Sequence, residues 1–120
     1  MPIFEVVLAD VVGVLAVYST TATVYYLDAD VPALLRVPGA SSRTGPSDFR
    51  WVPLLEVESA TRGGLGVLRV GDRHRWSFAY QDSNHPQAPA RGWWLQQTAV
   101  RIEPVTDPDL ARLPPRIGAW

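Results

Sequence analysis

Hydrophobic residues recur along much of this chain with a period of two, the spacing that sends alternate side chains of a β-strand into a core. Over 73–81, His74, Trp76, Phe78 and Tyr80 share one face, and Arg73, Arg75, Ser77 and Ala79 share the other. Over 49–59, Phe49, Trp51, Pro53, Leu55 and Val57 take the odd positions, while Arg50, Glu56 and Glu58 take even ones. Pro53 has no N–H for a ladder, so this strand lies at an edge there or is bulged. Further strands are predicted at 23–28, 33–37, 67–70 and 93–103, the last with Val100 and Ile102 inward.

The beginning of the chain breaks this pattern. From Ile3 to Tyr18 the sequence is apolar apart from a few positions such as Glu5 and Asp10, and it is rich in valine. β-branched residues around Gly13 favour two strands, 3–9 and 11–19, with a bend between them; a helix is the alternative, because unbroken apolar runs fit either. Both faces of 11–18 are apolar, so something must cover each.

Turn residues punctuate these runs. Asp28-Ala29-Asp30-Val31-Pro32 joins 23–28 to 33–37 as a hairpin, and Gly71-Asp72 joins 67–70 to 73–81 as a second. Loops are expected at 39–47 and 81–92, and a Gly-rich turn at 62–66. About seven short strands, with no helix of ten residues or more, predict an all-β fold: a single-domain antiparallel β-sandwich or small β-barrel over 1–104. A Pro-rich extended tail, 105–120, follows.

Composition narrows the function classes. The 120 residues make one domain, and there is no cysteine for a disulfide, a thiolate metal site or a Cys nucleophile. Net charge is −1, so no field collects nucleic acid or an anionic membrane. All 11 basic residues are Arg, which a GC-rich coding sequence explains more simply than a need for bidentate donors. The apolar start is too short for a membrane span and has no basic residue before it. A cytoplasmic protein, or one in an assembled particle, without a secretory signal peptide, is expected.

From Thr20 to Glu103 the order of features resembles a known group. Thr23-Val24-Tyr25-Tyr26-Leu27-Asp28 leads to Arg36-Val37-Pro38-Gly39, then to Phe49-Arg50-Trp51-Val52-Pro53-Leu54-Leu55-Glu56-Val57 and Thr98-Ala99-Val100-Arg101-Ile102-Glu103. This resembles small uncharacterised β-rich proteins of actinobacteria and their phages over about two-thirds of the chain. The resemblance implies a β fold and a bacterial or phage source, and brings no catalytic residue with it.

Several constellations carry residue types used in catalysis or metal binding. Asp72 and His74 point to one face of a strand, and with Asp82 or His85 from the following loop they would make a carboxylate–imidazole metal site. The plainer reading gives Asp72 to the turn, His74 to the half-buried strand and His85 to solvent. A Ser-His-Asp set drawn from Ser77 or Ser83 with these residues lacks a nucleophile elbow. Arg62-Gly63-Gly64-Leu65-Gly66 lacks the Lys-Ser/Thr of a phosphate loop. No catalytic, cofactor or metal residue is therefore assigned.

The tryptophans say more. Trp51 and Trp76 belong to apolar faces. Trp93 and Trp94 are adjacent on a strand, so one of them faces outward, where it can anchor a protein or stack on a sugar. The tail carries Leu110, Leu113, Ile117 and Trp120 between prolines, fit to dock on a neighbouring subunit or to wrap its own domain. The reading that unites these features is a non-enzymatic interaction or assembly module, homo-oligomeric or bound to another protein. The alternative is a carbohydrate- or small-ligand-binding β-protein using the 81–92 loop, His74 and an exposed Trp.

Overall fold

The computed structural model of the protein describes residues 2–81 and 89–115. Its strands are β1 (Glu5–Val7), β2 (Val14–Ser19), β3 (Val24–Asp28), β4 (Ala33–Val37), β5 (Trp51–Ser59), β6 (Val67–Arg69), β7 (His74–Gln81), β8 (Pro89–Leu95) and β9 (Ala99–Pro104). A 3-10 turn, Leu8–Asp10, follows β1, and one helical turn, α1 (Asp107–Leu110), follows β9. Seven strands form an antiparallel sheet in the order β8-β7-β5-β4-β3-β2-β9, and β1 pairs with β6 in a second, two-stranded sheet. The two sheets pack as a sandwich-like single domain. Single bridges stitch them together at both ends, Ile3 to Ile102 and Glu58 to Leu65.

The core between the sheets draws on every long strand. Leu15, Val17, Tyr25, Leu27, Leu34, Val57, Trp76 and Ile102 meet Val6 and Leu68 of the small sheet. Tyr25 stacks flat on Trp76, with centroids 5.5 Å apart. A second apolar cluster lies on the opposite face of the large sheet. There Val14, Ala33, Leu35 and Trp51 are buried beneath Val105, Leu110 and Leu113. The Trp51 indole N–H donates to the Pro114 carbonyl at 2.8 Å, which pins the strap in place.

This strap answers the question that β2 poses. Leu15 and Val17 face the inner core, and Val14 faces the strap, so a strand apolar on both sides is covered on both by its own chain. Of the two courses open to the tail, its described part takes the intramolecular one. Ile117 and Trp120 lie outside the described residues.

Five elements depart from the sequence pattern, the first being β9, where a register irregularity between Ala99 and Arg101 turns Val100 outward and leaves Ala99 and Ile102 inward. The run 3–19 gives a three-residue β1, a 3-10 turn and a shortened β2 rather than two long strands. The strand predicted at 93–103 is two strands on opposite edges of the sheet: Gln96-Gln97-Thr98 break it, and β8 begins at Pro89, inside the expected loop 81–92. The Gly71-Asp72 turn does not make a hairpin, since β6 pairs with β1 and β7 pairs with β5 and β8. On β5 the core residues are Val52, Leu54 and Val57, because a bulge between Leu54 and Glu56 switches the parity of the strand. Leu55 is consequently exposed. So is Phe49, which sits ahead of the strand with φ of 63°.

Candidate binding surface

The histidine and acid expected near a site are interior. His74 is fully buried, and its Nε2 accepts the backbone N–H of Arg69 at 3.1 Å. That fixes the proton on Nδ1, which donates to Gln96 Oε1 at 3.1 Å. The same oxygen accepts the Trp76 indole N–H at 3.2 Å, while Gln96 Nε2 lies 3.5 Å from the Val17 carbonyl. Burial pushes the His74 pKa below its ordinary 6.5. Asp72, also fully buried, accepts from Ser59 Oγ at 2.9 Å and from Arg62 at 2.6 Å. Burial raises its pKa, but the hydrogen bonds from Arg62 and Ser59 and the Arg62 charge outweigh that and hold it below 3.8. These groups serve one another across β5, β7 and the β8–β9 connection. Asp82, Ser83 and His85 lie outside the described residues, and among those described no group of three His, Cys, Asp or Glu side chains is placed to hold a metal.

A second polar region is equally committed. Arg36 Nη1 reaches both Asp48 oxygens at 2.8 and 2.9 Å, and its Nε donates to Tyr25 Oη at 3.2 Å. The small hollow beside it, about 240 Å³, is lined by hydroxyls that bond one another, Thr23 to Ser42 at 2.6 Å and Ser19 to Thr21 at 3.1 Å. This arrangement holds the 39–47 loop to the sheet.

The outer face of β5–β7–β8 is built differently. Cross-strand register sets Glu58, Arg75 and Leu95 in one row, and Glu56, Ser77 and Trp93 in the next. Arg91 follows beside Ala79. Together they border a shallow groove of about 390 Å³. Trp93 is 57% exposed at its side. Glu58 stands directly opposite Arg75, yet the Arg75 guanidinium lies over the Trp93 ring instead, 4.9 Å from its centroid. Among the described residues, none of Glu56, Glu58, Arg75 and Arg91 makes an ion pair.

No family model, no curated protein and no solved structure matches the chain. The surface must be read from its own chemistry.

Of the sequence-derived candidates among the described residues, Trp93 is the one exposed on this face. Trp94 points the other way, its ring 4.1 Å from Phe78 and edge-on to Tyr25. Leu110 and Leu113 are spent on the strap. His74 belongs to the interior, where Arg69 and Gln96 occupy both of its ring nitrogens. Alternation alone did not single out Glu56, Glu58, Arg75 and Arg91. The signal available in the sequence was that their strands each carry charge on the face opposite the core, which is also what any solvated strand does. No helix of the described residues is long and apolar enough to cross a membrane.

Proposed function

We propose that the protein is a non-enzymatic interaction and assembly module that self-associates through the Trp93 face of β5–β7–β8. The observation that carries the reading is an exposed tryptophan ringed by four charged groups that form no ion pair among the described residues. The polar clusters around Asp72, His74 and Arg36 bond internally, and β2 and the strap cover each other, so those segments no longer argue for a partner. Aromatic and Arg side chains are the residue types that anchor interfaces. The sequence resemblance implies a bacterial or phage source, and an assembled particle is a setting in which such a module would serve.

Light scattering after size exclusion tests the reading. The full chain is expected to run above the 13.2 kDa monomer mass as its concentration rises, and Trp93→Ala to shift it back towards that mass without loss of folding. A monomer at every concentration refutes it.

A second reading has its own support. The same tryptophan with two carboxylates and two guanidiniums is suited to a saccharide, whose ring stacks while its hydroxyls take the polar rim. Quenching of Trp fluorescence by a saccharide panel, lost in Trp93→Ala, is the outcome that reading requires.

A further inference from the structure

The Trp93 face has a pattern that a bare hydrophobic patch lacks, and it bears on what covers it. Ser77 is at the centre, with Glu56 and Trp93 as its cross-strand neighbours. Glu58 and Arg91 lie at opposite corners, one residue pair away in each direction along β7. Near the other two corners are Leu95 and the bulge residue Leu55, both exposed. One diagonal of the face is thus charged, negative at one end and positive at the other, and the crossing diagonal is apolar.

From this pattern we infer that the face docks on a second copy of itself about a two-fold axis running along the apolar diagonal. The inference rests on the assembly reading and specifies its geometry. A two-fold contact must be self-complementary, each patch meeting its own image. Rotation about that diagonal brings Glu58 of each copy within side-chain reach of Arg91 of the other, so both ends of the charged diagonal are neutralised at once. It brings Arg75 of each copy beside Trp93 of the other, extending a cation–π contact that exists within the chain. The leucines fall along the axis, each near its own mate. Strands of the two sheets then cross steeply, the orthogonal class of sheet packing. An axis along β7 would instead stack Arg75 on Arg75.

The footprint is small. Three strands about 4.8 Å apart and three side-chain rows about 7 Å apart cover less than a standard interface, which places the contact among weak, concentration-dependent ones. The charged pairs at its rim make it sensitive to salt.

Charge exchange is the test, on the full chain, by sedimentation from about 10 μM to 1 mM. Glu58→Arg alone and Arg91→Glu alone each set like charges against each other twice, and each is expected to weaken self-association about ten-fold or more. An equimolar mixture of the two variants restores opposite charges at both corners and is expected to associate within about three-fold of the parent. Both residues are on the solvent face, so circular dichroism should find the variants folded. If the parent self-associates and either variant does so equally well, or the mixture fails to recover, this geometry is wrong and assembly proceeds through another surface. A parent that stays monomeric overturns the geometry and the assembly reading together, and quenching of that monomer by a saccharide would give the face to a sugar.

Discussion

Replacing Gln96 by methionine isolates the interior polar network better than any other single change. The carboxamide is fully buried, and among the described residues its oxygen is the acceptor of both the His74 Nδ1–H and the Trp76 indole N–H. Methionine has nearly the same length and no acceptor of comparable strength, so the substitution removes the bonds while leaving little void. Each stranded buried donor costs about 1–3 kcal/mol. The Val17 carbonyl contact, at 3.5 Å, adds little. Two donors, partly offset by the apolar thioether, give an expected loss of about 2–4 kcal/mol. That is a large part of the roughly 5–15 kcal/mol that holds a typical domain together. Gln96→Ala adds a cavity and should cost about 1–2 kcal/mol more than Gln96→Met. Urea unfolding at pH 7.5 measures both, and the Trp76 indole proton resonance should move upfield as its hydrogen bond is lost. A Gln96→Met protein within about 1 kcal/mol of the parent would refute the reasoning, since the two donors would then have other acceptors.

Further outcomes follow from other sites. Because the His74 ring is held neutral, the unfolded chain binds a proton that the folded one refuses once pH falls below about 6.5, so stability should decline across that window, and again below about 3.8 as Asp72 is titrated; urea midpoints at pH 7.5, 6 and 5 check the first step, and a flat profile contradicts it. Gly92→Ala would set a Cβ 2.7 Å from Phe78 Cζ, against a ring already packed on Trp94, and should cost about 1–3 kcal/mol in thermal or urea melts. Truncation after Thr106 removes Leu110, Leu113 and the acceptor of the Trp51 indole; a loss of about 2–4 kcal/mol, a red-shifted Trp emission and dye binding to the uncovered cluster are expected, and an unchanged emission would speak against the strap.

Much of the fold was legible because burial of one sheet face imprints itself on alternate residues. His74, Trp76 and Phe78 are interior as their spacing required, and β4 spans the expected residues. The pattern failed where a local event changed parity or where the partner was remote. The bulge at Leu55 moved the core positions of β5 by one residue, and nothing in Leu54-Leu55-Glu56 announces it. The apolar outer face of β2 looked unpaired because its cover comes from the far end of the chain, and propensity carries no information about such a distance. Pairing of β6 with β1 rather than β7 is of the same kind. The Trp93 surface was half visible: two adjacent tryptophans on a strand must diverge, but which one stays outside depended on Gly92 making room for Phe78 on the inner face. The missing ion pair between Glu58 and Arg75 is a matter of side-chain choice, which strand register permits and does not dictate.

The strap has a consequence for the birth of the protein. β2 leaves the ribosome well before the residues that shield its outer side, Val105 to Leu113. At about 5–20 residues per second, the roughly 100 residues between them take about 5–20 s to synthesise. Throughout that interval Val14 and Leu35 have no lid, and the edge neighbour of β2, β9, does not yet exist. The nascent chain is therefore most prone to sticking before the strap emerges, and docking of the strap is the event that closes the outer side of β2.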